Sequence, residues 1–252
     1  MQAMTYKGEY TKEIIFPLGG MGTGSIGMSG AGRLVDWEIA NQPNKGSVNG
    51  YSHLSVKAVN ADGRLLDARV LNGDLAGDYM GQYCQAQYGQ YKGYGFGPLA
   101  ETMAGFPHFS TCVFEARFPF AHLRFTDDAF PGEVTLHAFN PFIPLDADDS
   151  SLPAAFFEVT FTNPTAEAID YTAGFSVGSL FSKETYNTLH QEDGYTSLAW
   201  TQCAYAPDDP RYGEVVLATN AARTHAQTHW FRGTWFDAPT VYWEQFARAA
   251  PL

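Results

Sequence analysis

The feature that most constrains this chain is a glycine-rich stretch near the N-terminus, residues 16–32, which reads FPLGGMGTGSIGMSGAG. Glycine adds conformational entropy to the unfolded chain and packs no side chain, so regular strands and helices tolerate few glycines. The stretch therefore predicts a tight loop, in which the backbone adopts positive φ angles or lies close against another part of the protein.

The same stretch contains a formal match to the dinucleotide fingerprint GxGxxG at residues 22–27. In proteins that use this motif, it follows a hydrophobic strand and opens a helix whose N-terminus binds the pyrophosphate. Here Pro17 interrupts the preceding apolar run, and Gly27 and Gly30 occupy positions where the helix would begin. We expect no nucleotide site in this stretch and no cofactor for the chain.

Composition favours a folded protein that binds neither nucleic acid nor a membrane. The chain has 252 residues, of which 45% are hydrophobic, so it can bury a sizeable core. Its formal net charge of −12 opposes binding to nucleic acids and anionic lipids, which are held through clustered Lys and Arg. No run approaches the roughly 18 apolar residues of a membrane span, so we expect no transmembrane segment.

The cysteines indicate a reducing compartment. Cys84, Cys112 and Cys203 are widely spaced and form no CxxC pair, which does not suit a disulfide framework or a zinc site. The N-terminus also lacks the apolar core of a signal peptide. We therefore predict reduced thiols and a cytoplasmic location.

Alternating apolar and polar residues predict an all-β fold, an antiparallel β-sandwich with long loops and few short helices. A hairpin is predicted at residues 52–70, and helical periodicity is convincing only at residues 241–250. Further strands are predicted at residues 112–125, 133–139, 154–162, 168–177, 195–201 and 214–219.

Two short motifs suggest catalysis or metal binding, but their contexts do not suit either. Residues 174–178 match the GxSxG nucleophile elbow, which makes a serine hydrolase using Ser176 one alternative function. An elbow ends a strand and opens a helix, whereas here the apolar alternation continues through the serine. His225 and His229 have the spacing of a helical metal pair but lack a third ligand, so we expect no metal site.

Residues 78–97 are rich in Tyr, Gly and Gln without apolar periodicity, which predicts a long loop. Aromatic rings in a polar loop suit stacking on sugar rings, so Tyr88, Tyr91 and Tyr94 are candidate sugar contacts. This pattern supports a second alternative, a free-standing carbohydrate-binding module. The other interpretation is that the rings pack over a sheet edge with their hydroxyls in water.

Several motifs together resemble the N-terminal region of the non-lysosomal glucosylceramidase and bile-acid β-glucosidase family, glycoside hydrolase family 116. The resemblance covers residues 15–177 and extends more loosely to the terminus. The motifs in order are PLGGMGTGSIG (17–27), RLVDWEIANQPNKG (33–46), FPHFS (106–110), FPFA (118–121), PGEV (131–134), AFNPFIPL (138–145) and DSSLP (149–153).

Members of that family carry an N-terminal β-sandwich followed by a helical barrel, and a Glu and an Asp of the barrel perform retaining hydrolysis of β-glucosides, including glucosylceramide. The resemblance implies that residues 1–252 form a single N-terminal sandwich domain, incomplete at its C-terminal end, and that the catalytic barrel is absent from the chain. No catalytic residue can therefore be assigned, and we expect the chain alone to be inactive.

The resemblance also implies a role and a partner. We expect the domain to buttress the helical catalytic domain, supplied by the same polypeptide or by a separate chain, with glycans as a further candidate partner and no nucleic acid. The glycine density places the interface at or near the glycine stretch and the motif that follows it. The candidate interface residues are Gly20, Gly22, Gly24, Gly27, Arg33, Asp36 and Trp37.

Overall fold

The computed structural model describes residues 3–12, 14–39, 42–74, 101, 103, 105–181, 184–233 and 237–249. The chain divides into two compact units, Met1–Val177 and Gly178–Leu252. In both units the sheets are antiparallel and the helices are short, so the all-β sandwich prediction is confirmed.

The described residues of the first unit form three sheets. Its strands are β1 (Met4–Lys7), β2 (Ile15–Leu18), β3 (Ser25–Ser29), β4 (Leu34–Glu38), β5 (His53–Asn60), β6 (Leu65–Val70), β7 (Thr111–Arg117), β8 (Phe120–Thr126), β9 (Glu133–Phe139), β10 (Phe156–Thr162) and β11 (Ile169–Ser176). The main sheet has the order β1-β7-β8-β9-β10, the second sheet the order β11-β5-β6, and the N-terminal sheet the order β2-β3-β4. The short elements are a 3-10 helix at Gly8–Thr11 and helix α1 at Ala147–Ser150.

The core of this unit is formed by the inward-facing residues of the main and second sheets. Leu123 and Leu136, which lie opposite each other on β8 and β9, are fully buried, as is Val56 of the second sheet. Aromatic contacts join β10 to β11, where the rings of Phe161 and Tyr171 stack with centroids 4.7 Å apart. Apolar alternation with period two thus produces a buried face on each sheet, as the sequence predicts.

The described residues of the second unit form one three-stranded sheet, with the order β12 (Thr185–Glu192), β13 (Tyr195–Gln202) and β14 (Glu214–Thr219). Strands β13 and β14 match the predicted strands, whereas β12 was not predicted. Helix α2, Ala238–Phe246, begins three residues before the predicted helix and has a proline in its first turn, where the missing N–H costs no hydrogen bond.

Two predictions about local structure are wrong in detail. The single strand predicted at residues 112–125 is the hairpin of β7 and β8, which turns at the cis peptide between Phe118 and Pro119. Proline cannot donate a ladder hydrogen bond, so it interrupts the apolar run at this point. The glycine-rich stretch is also not loop throughout, because β2 and β3 pair within it.

Asn140, a buried residue directly after β9, attaches the N-terminal sheet to the main sheet. Its side-chain oxygen accepts a hydrogen bond from the Gly19 N–H at 2.5 Å, and its amide nitrogen donates to the Pro17 carbonyl at 2.9 Å. Its backbone N–H donates to the carbonyl of Pro119 at 3.2 Å. One residue, through its side chain and its backbone N–H, therefore holds together the end of β2, the end of β9 and the β7–β8 turn.

We expect Asn140→Ala to lower the free energy of unfolding of the first unit by about 2 kcal/mol, because it removes the side-chain hydrogen bonds to the Gly19 N–H and the Pro17 carbonyl. Urea unfolding followed by tryptophan fluorescence measures the loss. Gln191→Ala, which truncates an exposed amide on β12, is the control and should change stability by less than about 0.5 kcal/mol. Equal stability of the Asn140 variant and the control would contradict this role.

Candidate docking surface

Residues 19–24, the turn between β2 and β3, behave as the predicted tight loop. Gly22 and Gly24 have φ angles of +75° and +98°, which favour glycine. Gly20 lies so close to residues 151–152 that a Cβ there would be 2.6 Å from the Ser151 carbonyl oxygen and would also overlap that of Leu152. The N–H of Met21 donates to the Ser150 carbonyl at 2.8 Å. The turn is thus pressed against the segment that follows α1.

Gly27 is needed inside β3 for a different reason. A Cβ at this position would lie 2.6 Å from the Cγ2 atom of Ile15 and 3.1 Å from the carbonyl oxygen of Val35. The pairing of β3 with β4 also shifts register between Ser25 and Gly27. This glycine therefore lets the three strands of the N-terminal sheet approach one another.

Arg33 lies inside the protein, directly before β4. Its N–H donates to the Ser29 hydroxyl at 3.0 Å, and its carbonyl accepts from the Ser29 N–H at 2.8 Å, which closes the β3–β4 turn. Its side chain lines a cavity of about 10 Å³ together with His53 and Asn72. That volume has room for about one water molecule.

Asp36 is a buried carboxylate with a left-handed backbone, at φ +49°. Its Oδ1 atom accepts from the Gly46 N–H at 2.7 Å, and Lys45 Nζ lies 3.2 Å from Oδ2. Lys45 also reaches Glu38, at 2.7 Å, and this hydrogen bond lowers the pKa of Glu38 below its usual value. Asp36 thereby fastens the loop after β4 onto the strand.

Trp37 is buried next to Asp36. Its backbone N–H donates to the Ser47 hydroxyl at 2.9 Å, and its carbonyl accepts from the Asn44 amide at 3.2 Å. Among the seven candidate interface residues, Gly22 is exposed, Gly24 is half-buried and the other five are buried. Their contact with another domain stays a prediction, and the buried members act within this chain by shaping the turn and β4.

Exposed apolar side chains surround the same turn and define a surface that we call the apolar end. It is formed by the β2–β3 turn, the β7–β8 turn and residues 140–156. Phe118 contacts both Phe16 and Phe142, with ring centroids 6.2 Å and 5.2 Å apart. The large exposed apolar side chains of the apolar end are Met21, Phe118, Phe120, Ile143, Leu145, Leu152 and Phe156. Sequence reasoning missed this surface, although the runs FPFA and AFNPFIPL carry most of it.

An aromatic row continues the apolar end onto the outer face of the main sheet. Phe120, Phe139 and Phe156 lie directly opposite one another on β8, β9 and β10. The rings of Phe139 and Phe156 stack with centroids 5.0 Å apart. Soluble monomeric proteins rarely expose large contiguous apolar patches, and such patches usually mark interaction surfaces.

His53, the first residue of β5, is a buried titratable group. Its Nδ1 lies 2.8 Å from the carbonyl oxygen of Tyr51, which makes Nδ1 the protonated nitrogen of the neutral ring. Burial lowers the pKa of His53 to about 4. Burial also lowers the pKa of His108, and the positive charge of Arg33 adds to that effect. These histidines are therefore neutral at pH 7.

The remaining predicted sites gain no support. Tyr88, Tyr91 and Tyr94 lie outside the described residues. Ser176 ends β11, which pairs in antiparallel fashion with β5, and the next element of the described chain is a strand, so no nucleophile elbow forms. His225 and His229 are exposed. Across the described residues, no three His, Cys, Asp or Glu side chains are placed to hold a metal ion.

No helix in the described part of the chain has the length and apolarity that a membrane crossing requires.

A family model described as "beta-glucosidase 2, glycosyl-hydrolase family 116 N-term" matches residues 16–252. A search of curated proteins gives no significant match. The family match covers nearly the whole chain, which therefore belongs to the family of N-terminal domains of glycosyl hydrolase family 116. It is a non-catalytic N-terminal domain of a glycoside hydrolase.

Two glycines of the β2–β3 turn form a matched pair for testing close backbone approach. We expect Gly20→Ala to lower the free energy of unfolding by about 3 kcal/mol, because the new methyl group meets backbone oxygens. In Gly22→Ala the new methyl group meets no atom within 4 Å, so the free energy of unfolding should fall by only about 1 kcal/mol, the strain of an alanine at positive φ. Urea unfolding of both variants measures the difference, and a larger loss for Gly22→Ala would contradict the packing described for Gly20.

The buried His53 predicts a loss of stability in weak acid. Its pKa is lower in the folded chain than in the unfolded chain, so between pH 6.5 and about 4 the unfolded state binds the additional proton. Stability is therefore complete above pH 6.5 and falls as the pH decreases, by about 2 kcal/mol between pH 7 and pH 5. Thermal unfolding at both pH values measures this loss.

His53→Gln is the matched variant, because its amide cannot take up the proton. We expect its stability to change less between pH 7 and pH 5 than that of the wild type. The same pH dependence in both proteins would assign the acid sensitivity to other groups, such as His108.

Proposed function

We propose that the chain buttresses the catalytic barrel of a family-116 β-glucosidase by docking its apolar end against that barrel. The observation that carries the proposal is the concentration of exposed large apolar side chains around the β2–β3 turn. The turn itself is rigid, because Gly20 packs against residues 151–152 and Asn140 holds Gly19. A rigid apolar surface loses little conformational entropy when a partner covers it, which favours stable docking.

The proposal extends to the reaction and the compartment. In the complete enzyme the domain supports hydrolysis of β-glucosides, with glucosylceramide as the substrate suggested by the motifs, and so takes part in carbohydrate metabolism. The cytoplasm is the proposed location. Cys112 and Cys203 are both free thiols, and burial raises the pKa of Cys112 to about 12, so that thiol remains protonated and unreactive.

Association in trans tests the docking. The tagged chain is co-expressed with the catalytic domain of a family-116 β-glucosidase from the same organism, and capture of that domain is measured together with its half-life at elevated temperature. We expect the wild-type chain to capture the catalytic domain and to lengthen its half-life. The double variant Phe118→Asp/Phe156→Asp should weaken capture at least tenfold, because it places two charges in the contact.

Tyr10→Asp is the control, since Tyr10 is an exposed aromatic residue of the 3-10 helix outside the apolar end. It should capture the catalytic domain as the wild type does. Failure of the wild-type chain to associate, or equal association of the double variant, would rule out docking through the apolar end.

A further inference from the structure

Residues 143–146 form a hydrogen-bonded turn that projects one apolar side chain from the apolar end. The Asp146 N–H donates to the Ile143 carbonyl at 3.1 Å, and Pro144 and Leu145 occupy the two central positions. Leu145 has a φ of +69° and its side chain is fully exposed. Proline followed by a residue with positive φ is the pattern of a type II turn, where glycine or asparagine is the usual third residue.

Side-chain hydrogen bonds of Ser150 and Asp146 hold the turn in place. The buried Ser150 hydroxyl donates to the Ile143 carbonyl and accepts from the Ile143 N–H, both at 2.9 Å. The Asp146 side chain accepts from the Asp149 N–H at 3.0 Å and so caps α1. The Ser150 carbonyl in turn accepts from Met21, which ties the turn to the β2–β3 turn. The position of Leu145 is therefore set by hydrogen bonds on both sides of it.

Among the described residues, Leu145 meets no packing requirement of the chain's own fold. A branched side chain at positive φ strains the backbone, and full exposure gives it no packing in return. Strain of this kind persists only where surrounding structure imposes it, and it concentrates at binding and catalytic sites. Glycine at this position would relieve the strain, so the leucine side chain serves something outside the described chain.

We propose that residues 143–146 are a preformed anchor that inserts the Leu145 side chain into an apolar pocket of the family-116 catalytic domain. This inference rests on the proposed function and names one contact within it. The partner is the catalytic domain because the chain belongs to a family of N-terminal glycosidase domains and because the anchor lies within the apolar end. Exposed Asp148 and Asp149 stand beside the anchor, so the rim of that pocket is expected to carry Lys or Arg.

Leu145→Gly distinguishes between two roles of Leu145, contact with the partner and stabilisation of the chain's own fold. Glycine accepts the positive φ, so the urea midpoint of the variant should equal or exceed that of the wild type, whereas loss of the side chain should weaken association at least tenfold. Leu145→Met substitutes an unbranched apolar side chain of similar volume and should bind within threefold of the wild type. Binding is measured by biolayer interferometry against the immobilised catalytic domain.

Leu189→Ala is the matched control, because Leu189 is an exposed leucine on β12, outside the apolar end, with ordinary backbone geometry. It should weaken association less than threefold. If Leu145→Gly binds as the wild type does, the anchor is refuted while docking through the apolar end stands. If the wild-type chain does not bind at all, both proposals fail. A wild-type dimer that Leu145→Gly converts to a monomer would assign the anchor to a second copy and refute the proposed partner.

Discussion

The first unit depends on close backbone approach at glycines of its N-terminal part, among them Gly20, Gly27 and Gly30. At Gly20, Gly27 and Gly30, a Cβ would lie within 3 Å of neighbouring atoms, mostly backbone atoms that cannot rotate away. The three strands of the N-terminal sheet can therefore pair, and their first turn can lie against residues 151–152, only because these side chains are missing. Asn140 then completes the junction, since its amide bonds to both Pro17 and Gly19.

This junction explains why the apolar end lies where it does. The β2–β3 turn, the β7–β8 turn and the segment around α1 are held together by hydrogen bonds from Asn140 and Ser150. Their apolar side chains consequently point outward from one rigid surface instead of collapsing into the core. A surface that is both apolar and rigid suits a permanent domain contact, because the free energy of desolvation is gained at little entropic cost.

Much of the fold could be predicted from residue patterns. The hairpin of β5 and β6, the strands β9, β10 and β11 and the C-terminal helix follow from alternation or helical periodicity. The site was harder to predict. Arg33, Asp36 and Trp37 stand in a motif that suggests an interface, yet they are buried and hold the chain's own loops. A sequence pattern records that a residue type is needed, but it does not distinguish an internal contact from an external one.

The amino-acid sequence determined the class of fold, the membership of the family and the need for a close backbone approach in the glycine-rich stretch, because these depend on local periodicity, side-chain size and motif order. Only the tertiary structure decided which residues meet. Residues 21, 118 and 145 are far apart along the chain, and their common exposure on one surface depends on strand register and on long-range hydrogen bonds. The positive φ of Leu145 could not be predicted from the sequence either, because leucine rarely adopts that conformation. The turn is held in place by the hydrogen bonds of Ser150 to Ile143.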